Sequence, residues 1–177
     1  MSELFKSALG YFSSSNSGTQ ENELVGQTVE IGNAKLRVKK VIAEGKRICL
    51  CICCTRINNW KGICLEGKYS RLMAADEESN KNIIQEINIL KKLSGKPNII
   101  QFIAASQIDK TKSSHGMTEY LVLTELCVGG SLVDVLRIRN GPLSPEEVCR
   151  VFWQVCKAVQ HMHNQAPPII HRDLKHG

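Results

Sequence analysis

Thiols are the most conspicuous reactive groups in this chain. Five of its eight cysteines, Cys49, Cys51, Cys53, Cys54 and Cys64, fall within residues 47–69. Thiolates bind zinc, and Cys51 with Cys54 has the CxxC spacing of half a tetrahedral site. The other half is missing: only Cys64 follows nearby, and no histidine stands at a suitable interval. The same stretch also reads as a buried strand, with Cys49, Cys51 and Cys53 facing one way. Cys127, Cys149 and Cys156 are isolated in sequence and are expected to pack as small apolar core side chains. His161 and His163 lack a third ligand nearby, so surface or helix-end packing is expected of them. No metal ligands are assigned.

The elements that must position any chemistry follow from composition and pattern. With 177 residues, 42% of them hydrophobic, the chain can bury one real core. Its formal charge is +6, but 23 basic and 17 acidic residues are mixed along the chain. Short pairs such as Lys39–Lys40 and Lys91–Lys92 are expected to be solvated faces, which argues against nucleic-acid binding. The start MSELFKSALGYF has no continuous apolar core of a secretory signal. The longest apolar run, ICLCICC, is far too short to cross a bilayer. A reducing, cytoplasmic setting is expected, where structural disulfides are disfavoured.

Residues 13–22, SSSNSGTQEN, read as a flexible linker, so residues 1–24 form an N-terminal segment and folding starts near residue 25. Alternation through Leu36, Val38 and Val41 predicts two strands joined at Gly32 and Asn33. Ile83, Ile84, Ile87 and Leu90 have helical spacing, with acids in the first turn and a stop at Gly95. NIIQFIAAS and EYLVLTEL predict an antiparallel strand pair across a polar loop. Ser131 opens a short helix closed by Gly141. Ser144, Pro145 and Glu147 then form the strongest helix start in the chain, a capping box with proline at the first position. Val148, Val151, Val155, Ala158, Val159 and Met162 share one face of that last helix.

After it comes HRDLK, residues 171–175. In that context the pentapeptide resembles the catalytic loop of protein kinases, HRDxxxxN, with the lysine of the Ser/Thr version. The likeness extends to MSELFKSALGYF, VGQTVE, KKLSGKPNIIQF, LTELC and AVQHMHNQAPPIIHRDLK, which are similar to the Numb-associated Ser/Thr kinase family over nearly the whole chain outside residues 46–71. The resemblance implies an α+β fold. A kinase small lobe, an antiparallel sheet plus one helix, would span residues 25–127, and the first helices of the large lobe residues 128–177. It further implies ATP and Mg²⁺ as cofactors and protein substrates, especially clathrin-adaptor subunits, with association to the Golgi and clathrin-coated vesicles.

By the same resemblance, Asp173 would accept or orient the proton of the substrate hydroxyl, and Lys175 would steady the transferring phosphoryl group. His171 and Arg172 would hold the loop, and Arg172 could receive an activation-segment phosphate. Glu86 would pair with the small-lobe lysine. Thr124 would be the gatekeeper behind adenine, Glu125 to Cys127 would offer hinge hydrogen bonds, and Ile42 would roof the base.

The sequence also departs from the family. No lysine of the VAIK type is found: Lys68 sits in CLEGKYSR, outside an apolar strand context. Glu44 and Gly45 are all that remain of the Gly-rich loop. The magnesium-binding Asn would fall one position past Gly177, and no DFG motif, activation segment or APE motif follows. The chain as written is therefore expected to be a truncated, inactive kinase domain, with a non-catalytic interaction or pseudokinase-like role as the alternative. Plausible codons for residues 47–66, read one base later, permit GFAFVYVAQELTTGKEYALK. That string resembles a Gly-rich loop, second strand and lysine-bearing third strand, so residues 46 to about 70 read as translated out of frame.

Overall fold

The computed structural model describes residues 25–32, 34–43, 51–56, 66–139 and 141–175. They divide into two compact units, one of residues 21–95 and 99–126, the other including residues 96–98 and 127–177. The expected N-terminal segment 1–24, Gly45 and Cys64 lie outside the described residues, as do the side chains of Ile42, Cys51 and Cys54.

The first unit is a six-stranded antiparallel sheet with one helix, the architecture of an α+β fold. Its strands are β1 (Thr28–Ile31), β2 (Ala34–Ala43), β3 (Cys51–Arg56), β4 (Glu66–Ala74), β5 (Phe102–Ile108) and β6 (Thr118–Glu125), in the order β1-β2-β3-β4-β6-β5. Gly32, at φ +57°, makes the turn between β1 and β2 that the sequence predicts. Both β3 and β4 form despite the unusual composition of residues 46–71, because each finds a paired neighbour: Cys53 stands opposite Lys68, and Lys68 opposite Thr124.

The two-residue period of the strands sorts their side chains onto two faces. On one, Ile31, Leu36, Val38, Tyr69, Leu121 and Leu123 form the larger apolar core. On the other, Ala74 and Tyr120 pack against Ile83 of helix α1 (Glu77–Leu93), flanked by Leu72 and Ile87. Helix α1 starts at Asp76, whose carboxylate accepts from the Ser79 backbone N–H at 2.6 Å, and Glu77 and Glu78 complement its positive end. It stops at Leu93, one residue short of Ser94 and followed by Gly95 at φ +82°.

Two hydrogen bonds fix α1 on the sheet at opposite ends. Tyr120 Oη donates to Asn80 Oδ1 at 2.6 Å, and the Phe102 backbone N–H donates to Ser94 Oγ at 3.1 Å. Gln101 joins the second anchor. Its side-chain amide donates to Ser94 Oγ at 2.6 Å, its side-chain carbonyl accepts from Gly95 N–H at 3.1 Å, and its backbone N–H donates to the Glu125 carboxylate at 2.7 Å.

The second unit holds α2 (Leu132–Ile138) and α3 (Pro145–His163). Each starts on a reciprocal capping box, Ser131 with Asp134 and Ser144 with Glu147, and Pro145 occupies the first turn of α3 as expected. Glu147 also takes Arg139 in a two-pronged ion pair at 2.7 and 3.0 Å. That pairing holds the Glu147 carboxyl down at about 2, well below the usual carboxylate range.

Among the apolar residues of α3 only Met162 is buried, while Phe152 is 68% and Trp153 59% exposed. The expectation that Cys127, Cys149 and Cys156 are core residues is wrong: all three are exposed. Cys149 and Cys156 lie seven residues apart, and so on one stripe of α3 that no described element covers. Cys127 sits in the turn after β6, where Gly130 N–H donates to its carbonyl.

Candidate active site

The loop after α3 is built on a return of the chain toward the helix. Ile169 N–H donates to Met162 O at 3.1 Å, after a cis Ala166–Pro167 bond, and the HRD residues follow directly. Arg172 has φ +67°, a left-handed conformation that a side chain with a Cβ adopts at a cost of about 1–2 kcal/mol. Asp173 N–H donates to His171 Nδ1 at 3.2 Å, so the histidine spans the strained residue and fixes the turn. Lys175 Nζ lies 3.0 Å from Asp173 Oδ2, with both side chains well exposed. The geometry is an open carboxylate with a cation beside it, on a loop whose turn one imidazole spans. An exposed pair of this kind adds little stability.

The first unit carries the other residues singled out in the sequence except Cys127, which belongs to the second. Thr124 is buried in β6, and its hydroxyl donates to Glu125 O at 3.2 Å. Glu125 is exposed at the end of β6, bonded through its backbone N–H to Gln101 O. Cys127 is exposed just beyond it. Ile42 lies in β2. Glu86 is exposed on α1, and among the described residues it forms no ion pair. Lys68, read in the sequence as lying outside an apolar strand context, is in β4 directly opposite Thr124. Because residues directly opposite in an antiparallel pair point the same way, Lys68, Ser70 and Leu72 share the α1 face with Thr124, Val122 and Tyr120.

Sequence reasoning missed one polar centre altogether. Glu119 is fully buried at the start of β6, opposite Met73, and receives the Arg71 guanidinium and the Ser113 hydroxyl. His115 Nδ1 approaches the same carboxylate at 3.3 Å and Arg71 Nη2 at 3.3 Å. Hydrogen bonding from Arg71 drives the Glu119 carboxyl down to about 2 against the opposing effect of burial. The available signal was parity: Glu119 is in phase with Leu121 and Leu123, which puts a carboxylate on a core face and demands a partner.

Among the described residues no group of three or more His, Cys, Asp or Glu is arranged to hold a metal ion. These residues alone do not fit a Mg²⁺ site, and no step below passes through one. No described helix is long and apolar enough to cross a membrane.

Residues 37–177 match the model of the protein kinase domain. The chain is 33% identical over 153 residues to a probable serine/threonine-protein kinase of Dictyostelium discoideum, covering 85% of this chain and 13% of that protein. It is 29% identical over 153 residues to a serine/threonine-protein kinase of Schizosaccharomyces pombe, covering 85% of this chain and 15% of that protein. A serine/threonine-protein kinase of Saccharomyces cerevisiae is 31% identical over 106 residues, 59% of this chain and 10% of that protein. The chain thus spans less than a fifth of the length of these relatives.

Proposed function

The chain belongs to the Ser/Thr protein kinases, whose domains in general use ATP and Mg²⁺ on protein substrates, and from that premise we propose specific roles for its residues. Asp173 orients the hydroxyl of a substrate serine or threonine and takes its proton as the oxygen attacks the γ-phosphorus. Lys175, already 3.0 Å from that carboxylate, supplies positive charge to the equatorial oxygens of the transferring group. Arg172 and His171 hold the loop. In the first unit Thr124 bounds the adenine pocket and Glu125 offers a hinge backbone group. The observation that carries this reading is the Asp173–Lys175 pair on a strained His-Arg-Asp turn directly after a doubly capped helix.

The finer placement is beside cyclin-G-associated kinase in the Numb-associated family, with clathrin-adaptor subunits as substrates at the Golgi and coated vesicles. It rests on the quoted segments from MSELFKSALGYF to AVQHMHNQAPPIIHRDLK. The out-of-frame reading of residues 46–70 is checked by sequencing the transcript, where lack of any frame encoding a GFAFVY-like loop rejects it.

The exposed Phe152 and Trp153 favour a second reading, a non-catalytic fragment that binds partners through α3. Thermal unfolding separates the two. A ligand that binds only the folded chain raises its melting temperature, by about 2.7 kcal/mol of stability at one hundred times Kd. ADP and ATP should stabilise the chain; no shift with either leaves the interaction reading. In parallel, labelled γ-phosphate transfer to a generic protein substrate that Asp173→Asn abolishes would support the role of Asp173, and transfer that survives the substitution would overturn it.

A further inference from the structure

Helix α3 presents a row of side chains patterned to meet a second helix. Cys149, Phe152, Cys156, Val159 and His163 recur at alternating three- and four-residue intervals, the spacing of a helix–helix seam. Val148, Trp153 and Val155 flank the row, and together with Phe152, Cys149 and Cys156 they stand exposed. Beside the row lies an open groove of about 750 Å³, walled by Cys156, Gln160 and His163 of the helix and by Leu174 of the loop after it. One face thus offers both a projecting aromatic side chain and a recess that would take one. A surface that carries knob and hole together is complementary to itself.

Charge selects the orientation. Glu146 and Glu147 stand in the first turn of α3, and His161 and His163 in the last. Two such helices laid in the same direction bring acidic turn against acidic turn and like dipole ends together. Laid in opposite directions, each acidic turn meets a basic one and the dipoles oppose. Full antiparallel overlap of the 19-residue helix with its copy centres on Gln154. That register sets Phe152 opposite the second copy's Cys156, at the wall of the groove, and brings Glu146 to the turn that holds the second copy's His163.

We propose that this face of α3 is an interface between two copies of the chain, packed antiparallel about a two-fold axis near Gln154, with each Phe152 seated in the other's groove. The proposal rests on the reading of α3 as a binding surface, names its partner, and is independent of nucleotide binding. A seam about 28 Å long, at roughly 1.5 Å per residue, is smaller than a standard interface, so the dimer is expected to have a dissociation constant on the order of 10 µM.

Sedimentation equilibrium of the full 177-residue chain in reducing buffer should show a monomer–dimer equilibrium that stops at two. Phe152→Ser should weaken it at least about tenfold, and because Phe152 is exposed the substitution removes no core contact. Lys110→Gln, on the exposed β5–β6 loop, should leave it unchanged. Orientation is read on the wild-type sequence: a short bis-maleimide is added to mixed isotope-labelled and unlabelled chains, and cross-linked peptides of mixed isotope are identified by mass spectrometry. The antiparallel register places Cys149 and the second copy's Cys156 about 4.5 Å apart along the axis, and the two copies of Cys149 about 15 Å apart. Mixed pairs of Cys149 with Cys156 support the proposal, and mixed pairs of Cys149 with Cys149 overturn it. Assemblies larger than two that Phe152→Ser abolishes overturn the two-fold arrangement while leaving α3 a binding surface. A chain that stays monomeric well above the expected dissociation constant overturns the second copy as the occupant of this face.

Discussion

At the scale of single residues, two carboxylates among the described residues have their chemistry set by arginines. Glu119 is the consequential one, because it is buried and its partners Arg71, Ser113 and His115 come from β4 and the β5–β6 loop. Its folded pKa of about 2 lies below the ordinary 4.5, so its contribution is fully present above pH 4.5 and is lost as pH falls toward 2. Urea unfolding across that window should show stability dropping by on the order of 3 kcal/mol from this group. Glu119→Gln should already be less stable at pH 7 and should lose less on acidification. Glu147, held down by Arg139, titrates in the same direction but is more exposed and screened. The motif proposed for catalysis stands out at this scale, since His171, Arg172, Asp173 and Lys175 fall within five consecutive residues. Glu119 does not, because its pairing with Arg71 depends on strand register, which brings together residues some fifty positions apart.

At the scale of elements, caps and periodicity carried the reading of the helices. Ser144 and Glu147 begin α3, and Ser131 begins α2, where the sequence placed them. Ser144→Ala should cost about 1 kcal/mol in chemical denaturation of the second unit, with a larger loss for Glu147→Ala, which breaks both the box and the Arg139 pair. Ile83→Ala removes the buried helix residue packed between Ala74 and Tyr120 and should cost about 2–4 kcal/mol. Strand β4 shows where element reading fails. EGKYSRLMA looks too polar for a central strand, yet Tyr69 is buried, Arg71 is neutralised by Glu119, and β6 supplies an apolar neighbour.

At the scale of the whole molecule, composition foresaw a real core and the family resemblance an α+β fold, but neither foresaw how unevenly the two units would bury their apolar residues. The sheet unit closes a core on each face, whereas α3 leaves Val148, Phe152, Trp153 and Val155 at 40–68% exposure. Exposure on that scale drives association, so light scattering should report concentration-dependent oligomers at neutral pH. Phe152→Ser with Trp153→Lys should reduce them without changing the far-ultraviolet circular dichroism. The expectation for Cys149 and Cys156 failed for the same reason: a stripe of α3 that is apolar in pattern need not be covered.

Gln101 gives the sheet unit a property that no single element has. Through one residue the end of β6 at Glu125 and the residues just past α1, Ser94 and Gly95, are joined, with the backbone on one side and the amide on the other. A molecule that grips the backbone near Glu125 would therefore be sensed at the end of α1. Slower hydrogen exchange of the Ser94 and Gly95 amides on adding adenosine, lost in Gln101→Ala, would show that joint transmitting.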